Sequence, residues 1–292
     1  MNQRPPETVF YCRDILKSYE GKPVVADINL DLAAGGLISL VGPSGIGKTT
    51  LFNVLSGVDK PDKGRIFLDG EEITGISGRV SYMMQKDLLL EYRTVLDNVI
   101  LPLIIRGTPK KEARHFAASF FTTFGLAGYE KKYPRQLSGG MRQRAALLRT
   151  CLNGTSGYRV KSNRTEQTSY APRRSPVILL DEPFSALDSL TRRTMQDWFQ
   201  NIMDRPLLGT EKISALFITH DVEEAVFLSD RVYLLSAPNR SGGENRGGEK
   251  NPGRISAFFD INTPRPRNRD FSLTPEFAAQ KRAILDAIDG SV

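Results

Sequence analysis

The sequence is poor in the residues that build cross-links, metal centres and membrane spans. Only two cysteines, two histidines and one tryptophan occur among its 292 residues. Cys12 and Cys151 stand far apart, in neither a metal-like nor a redox spacing, and read as ordinary reduced thiols. No apolar run approaches the ~18 residues of a membrane-spanning helix. The opening stretch MNQRPPETVF lacks an apolar signal core, so the expectation is a protein that stays in the cytoplasm. No internal repeat occurs. Basic residues are scattered without interleaved aromatics, which gives nucleic-acid binding little support.

The balance of 40% hydrophobic and 25% charged residues is that of a soluble globular protein with a substantial core, in one large or two modest domains. A formal charge of +7 favours anionic company. Nucleotide, nucleic acid and an anionic membrane surface remain open on that ground, with a solvated basic surface as the default.

The most informative stretch is Gly42-Pro43-Ser44-Gly45-Ile46-Gly47-Lys48-Thr49-Thr50. It follows Leu37–Val41, which reads as a buried strand, and precedes Leu51, Val54 and Leu55 at helical spacing. Glycines there let backbone N–H groups surround phosphate oxygens, and the helix N-terminus adds partial positive charge. Lys48 would reach the β and γ phosphates, and Thr49 would supply a hydroxyl to Mg²⁺. The pattern says nucleoside triphosphate and leaves open what the energy does.

Around it, Val9–Cys12, Ile28–Leu32 and Ile66–Leu68 predict an antiparallel sheet. Tyr19 lies in a turn-rich stretch upstream, where its ring can stack on a purine or simply pack on the surface. Gln85 follows a probable strand. The segment Pro109–Gly125 predicts a helix whose Phe116, Phe120, Phe121 and Phe124 belong to the core, with His115 a solvated or satisfied helix residue. Ser138-Gly139-Gly140-Met141 opens another helix and leaves amides open to an anion; on physical grounds a plain capped helix fits equally well.

Residues 153–175 and 238–251 turn polar and read as solvent-exposed, flexible loops. Between them Val177–Leu180 delivers Asp181 and Glu182 at a strand end, where open α/β sheets place ligands. Asp181 suits a magnesium shell and Glu182 the polarising of a water. Asp188 precedes a helix over residues 190–203 that contains Trp198. His220 ends the strand Ile213–Thr219, either as a cap neighbour or in contact with a γ-phosphate. PRPRNRD at 264–270 is extended and basic, and Pro275–Ile288 predicts a terminal helix.

In this order the pieces resemble the ATP-binding subunits of ABC transporters over nearly the whole chain. Tyr19 stands where that family has its adenine-stacking aromatic, GPSGIGKT is its Walker A, Gln85 its Q-loop glutamine, and LSGGM at 137–141 its signature. VILLDE is its Walker B, SALD at 185–188 its D-loop, and His220 its switch histidine. The resemblance implies a P-loop NTPase of the ABC type: an α/β fold with a mixed-sheet core, an antiparallel β subdomain and an inserted α-helical subdomain. The core and β subdomain would occupy about 1–87 and 134–261, the helical subdomain about 88–133, and a C-terminal extension about 262–292.

It further implies ATP and Mg²⁺ as ligands, bound at a composite site in a head-to-tail homodimer. Ser138, Gly139, Gly140 and Met141 of one chain would close over ATP held by Tyr19 and residues 42–50 of the other. Glu182 would act as general base and His220 would hold γ-phosphate and water in line. Thr49, Gln85 and Asp181 would serve the metal, and Asp188 would communicate across the dimer.

TVLDNV, LSGGMRQR, THDVEEAVFLSDRV and PGRI look like the importers of nitrate, sulfonates and taurine. YMMQKDLLLEYRTVLDN looks like the branch for pyrimidine precursors of thiamine. Implied partners are an integral membrane permease and, indirectly, an extracytoplasmic solute-binding protein, with this subunit peripheral at the cytoplasmic face of the membrane. The alternatives are a soluble ABC ATPase acting on ribosomes or nucleic acid, and an exporter subunit. The former usually carries two cassettes or a long coiled coil; the importer-like phrases and the lack of a fused membrane domain oppose the latter.

Overall fold

The computed structural model describes residues 8–155, 158–160, 169–171, 176–207, 212–237 and 251–290. Its strands are β1 (Thr8–Tyr19), β2 (Lys22–Ala33), β3 (Leu37–Val41), β4 (Lys63–Leu68), β5 (Glu71–Glu72), β6 (Ser81–Met83), β7 (Tyr158–Val160), β8 (Ser169–Ala171), β9 (Val177–Asp181), β10 (Ser214–Ile218), β11 (Arg231–Ser236) and β12 (Arg254–Asp260). The helices are α1 (Lys48–Leu55), α2 (Val95–Val99), α3 (Leu101–Ile105), α4 (Lys110–Ala118), α5 (Gly139–Thr155), α6 (Ser189–Met203), α7 (Val222–Leu228) and α8 (Pro275–Asp289).

Every residue of β3, β9 and β10 is buried, which a strand achieves only when both faces of its sheet are covered. They lie at the centre of a six-stranded sheet ordered β12-β11-β3-β10-β9-β6. All its neighbouring pairs are parallel except β11 with β12.

Alternation along each strand assigns its side chains to two cores. Ile178, Leu180, Ala215, Phe217, Val232 and Leu234 join the cluster closed by the helices. Val177, Leu179, Leu216, Ile218, Tyr233 and Leu235 join one closed by α1 and a second sheet. That second sheet is antiparallel, ordered β2-β1-β4-β5. It contains the three expected strands, extended: β1 and β2 run 12 residues each, with register shifts between Cys12 and Ile15 and between Ile15 and Lys17.

Three expectations need correction. The helix expected to reach Gly125 ends at Ala118, and residues 119–125 are turns. The Ser119 hydroxyl bonds back to the Phe116 carbonyl at 2.7 Å, and Gly125 takes a left-handed φ of 66°. Phe121 and Phe124 are still buried and Phe120 packs against the core, but Phe116 is 40% exposed and is not a core residue.

The stretch 153–175 is not all loop. Helix α5 runs to Thr155, and β7 pairs antiparallel with β8, Arg159 opposite Tyr170; Tyr and Val favour such a pleat. The rest of that stretch, 156–157, 161–168 and 172–175, lies outside the described residues, as does 238–250 of the second expected loop.

The third correction concerns PRPRNRD, which is extended only as far as Asn268, because Arg269 and Asp270 open a 3₁₀ helix that runs to Leu273. Arg267 is only 5% exposed. Arg265 pairs with Asp230 at 2.7 Å and Arg269 with Asp197 at 2.8 Å, so the segment is clipped to the sheet and to α6.

Candidate functional site

Because β3, β10, β9 and β6 run parallel, their carboxyl ends meet along one edge of the sheet. Strand β3 leads into the phosphate loop, β9 ends on Asp181, β10 is followed by Thr219 and His220, and β6 by Gln85. Residues widely separated in the chain are thereby gathered by topology.

The loop is held from behind. A Cβ on Gly42 would stand 2.1 Å from the Leu235 carbonyl oxygen, so only glycine fits there. Gly47, the N-cap of α1, has a φ of 107°, and a Cβ on it would meet Val25 Cγ1 at 2.7 Å. Gly253 abuts the loop from the other side, since its Cβ would lie 2.4 Å from the Ile46 carbonyl oxygen. Lys48 folds back and donates to the carbonyls of Gly42 at 2.7 Å and Pro43 at 2.9 Å. Burial lowers its pKa, against the pull of the Glu182 and Asp181 carboxylates. Ser44, Gly45 and Thr49 are exposed at the rim, and a Cβ on Gly45 would meet nothing within 4 Å.

Asp181 accepts a hydrogen bond from Thr49 Oγ1 at 3.3 Å and another from the Tyr82 hydroxyl at 3.2 Å, both on Oδ2. Burial raises its pKa, which these bonds oppose. Burial likewise pushes the Tyr82 phenol up, and the adjacent Asp181 charge adds to that.

Next along the chain, Glu182 carries a left-handed φ of 46°. Its N–H donates to Ile218 O at 3.1 Å and its own carbonyl accepts from Ser185 Oγ at 3.0 Å, bonds that hold this unfavourable conformation. Gln85 Nε2 donates to Glu182 Oε2 at 2.9 Å, and His220 Nδ1 lies 3.3 Å from Oε1. One carboxylate thus links three sequence candidates.

The remaining candidates sit apart from that triangle. Asp188 caps α6, accepting from the N–H groups of Leu190 at 3.2 Å and Thr191 at 3.0 Å; the Thr191 side chain, with these N–H groups, holds its carboxyl below its usual range. Ser138 Oγ accepts from Met141 N at 3.3 Å and caps α5. The atoms nearest a Cβ on Gly139 or Gly140 belong to Leu187, Thr191 and Met195, none to the phosphate loop. Tyr19 is 44% exposed at the end of β1; its hydroxyl donates to Asp59, and Lys17 Nζ stands 5.0 Å from its ring centroid. His115 is exposed on α4.

Tyr82 and Gly253 were missed as site residues because strand and loop patterns carry no sign of what they abut. Tyr82→Phe removes one bond to the Asp181 carboxylate, worth about 1 kcal/mol. The magnesium concentration for half-maximal hydrolysis is expected to rise about fivefold, measured by metal titration of the steady-state rate; an unchanged value would detach Tyr82 from the site.

An open glycine cradle, a buried ammonium beside it and oxygen donors from Thr49, Asp181 and Gln85 together fit a nucleoside triphosphate with a hard divalent cation. These features define a P-loop nucleoside-triphosphate site. Comparison with known proteins agrees. The ABC transporter family profile matches residues 25–156.

An ABC transporter ATP-binding protein of Methanocaldococcus jannaschii is 36% identical over 91% of this chain and 84% of its own length. The formylaminopyrimidine import ATP-binding protein ThiZ of Halalkalibacterium halodurans is 41% identical over 73% of this chain and 74% of its own. An aliphatic sulfonates import ATP-binding protein of Burkholderia cenocepacia is 34% identical over 93% and 84%. The dimeric structure of a bacterial ABC transporter cassette superposes with a TM-score of 0.63 at 23% identity, covering 87% of this chain and all of that one. The chain belongs to the family of ABC transporter ATP-binding proteins.

Proposed function

We propose that this ABC ATPase energises the import of a small organic solute through a separate integral membrane permease. The observation that carries its chemistry is the Glu182 carboxylate, joined to Gln85 and beside His220, at the sheet edge that presents Lys48.

In this reading residues 42–50 hold the phosphates of ATP, Lys48 bridges β and γ, and Tyr19 stacks on the adenine. Thr49, Asp181 and Gln85 hold Mg²⁺, which supplies charge neutralisation on the phosphates when bound. Glu182 takes a proton from the attacking water while His220 and Gln85 orient it. Ser138, Gly139, Gly140 and Met141 serve the nucleotide of a second copy of the chain, and Asp188 reports across that interface. Residues 88–133 act as a helical subdomain that receives the permease, and 262–292 as an extension.

Among the described residues no helix is long and apolar enough to cross a membrane, which is consistent with a peripheral position on the cytoplasmic face. The named relatives import a formylaminopyrimidine or aliphatic sulfonates. We assign this chain a solute of that kind, chosen by an extracytoplasmic solute-binding protein. The test is purification from native membranes followed by ATPase assay with loaded binding protein. Recovery with a permease and stimulation by a pyrimidine or sulfonate is expected; recovery with ribosomes or nucleic acid and no membrane protein would overturn it.

A further inference from the structure

Gln85 is anchored to Glu182 by its side chain, but Asp87, Leu88 and Glu91 just after it are held by a different element. Arg142 grips Asp87 with two donors, Nε to Oδ2 at 2.8 Å and Nη2 to Oδ1 at 3.2 Å, and reaches Glu91 Oε1 with Nη1 at 2.9 Å. Arg149, seven residues on and on the same face of α5, donates through Nη1 to Leu88 O at 2.8 Å and through Nη2 to Asp87 O. Asp87 also accepts from Leu89 N at 2.9 Å, which shapes the turn.

Two guanidinium groups are thus committed to one short segment. Bidentate pairing fixes direction as well as distance, and carbonyl bonds from a half-buried Arg149 fix the backbone path rather than a side chain. The same helix begins at the signature. Ser138 caps it, and Arg142 N donates to Ser138 O at 2.9 Å, so Arg142 lies one turn inside. A helix is a stiff connector over this length. Displacement of its first turn therefore moves the 87–91 segment, and with it Gln85.

We propose that Arg142 and Arg149 form a latch on Asp87 and Leu88 that couples the signature end of α5 to Gln85, making them positioning residues for Glu182. This rests on the composite-site reading above. When the signature engages the nucleotide of the partner copy, the latch draws Gln85 to the position at which it orients the water, so closure and chemistry are timed by one rigid element. A staple that merely stabilises the fold would affect folding and leave the rate of the folded enzyme alone.

The test uses the full chain with Asp87→Ala, Arg142→Ala and the double variant. Expected are a roughly tenfold fall in kcat, a KM for ATP within about twofold of native, and a double variant no slower than either single one. In a Glu182→Gln background each variant still forms the ATP-dependent dimer. A native kcat, or a fall in kcat that adds in the double variant, would overturn the latch. Failure of Glu182→Gln alone to dimerise with ATP would instead overturn the composite-site reading, and that result is distinct.

Discussion

Replacing Glu182 with glutamine is expected to lower steady-state ATP hydrolysis by about 10³-fold while leaving nucleotide binding intact, the range lost when a positioned general base is removed. The substitution keeps the shape of the side chain and its capacity to accept from Gln85 Nε2, now 2.9 Å away. It removes the carboxylate proposed above to take the proton. Because Lys48, the glycine cradle and the Asp181 contacts belong to other elements, affinity for ATP is expected to hold within about threefold, inside the spread for a neutral change at a polar site. Rapid-quench turnover together with equilibrium binding of ATP checks both halves. Unimpaired hydrolysis would move the base elsewhere.

The second large effect concerns stability. Arg267→Ala is expected to destabilise the fold by about 3 kcal/mol or more. The guanidinium donates to the carbonyls of Val226, Phe227 and Ser229 through Nη1 at 2.9–3.1 Å, and to Thr263 through Nε and Nη2. Those first carbonyls are at the C-terminal end of α7, where a helix leaves acceptors without intrahelical partners.

Burial lowers the Arg267 pKa to about 10. The cation is therefore costly in this place, and what retains it is the fan of bonds from one planar group. Truncation leaves several acceptors buried without a donor. Thermal denaturation should show a fall of roughly 5–10 °C, with ATP affinity of the folded fraction unchanged; a native melting temperature would contradict this assignment.

Arg267 also marks where sequence reading stopped. A run such as PRPRNRD shows charge and an extended backbone, but burial depends on which elements close over it. Here Thr263 is a near acceptor that a local reading reaches; α6, α7 and the turn before β11 supply others, all distant in sequence. Residues 153–175 posed a similar problem: their polar composition hid the β7-β8 pair, whose strands are three residues each. Phe116 differed for another reason: it lies inside α4, whose buried positions are Ala113 and Ala117, and its ring stays outside that face.

The motifs were legible because their chemistry is local. Gly42 and Gly47 need glycine for reasons a loop before a helix already suggests, and Asp181 and Glu182 follow directly on a buried strand. Gln85 and His220 were placed by resemblance, and the sheet order then brought them to Glu182. Tyr82, Gly253 and the Asp87–Arg142 pair carried no local signal, since each acts through a residue distant in the chain.

The central claim is that ATP held by residues 42–50 of one chain is completed by Ser138–Gly140 of another. The most direct measurement is the mass of Glu182→Gln in solution with Mg²⁺ and ATP, by light scattering, alone and combined with Ser138→Arg. The account predicts a dimer for the single variant, and a monomer that binds ATP with native affinity for the double. A monomer in the first case, or an undiminished dimer in the second, would contradict it.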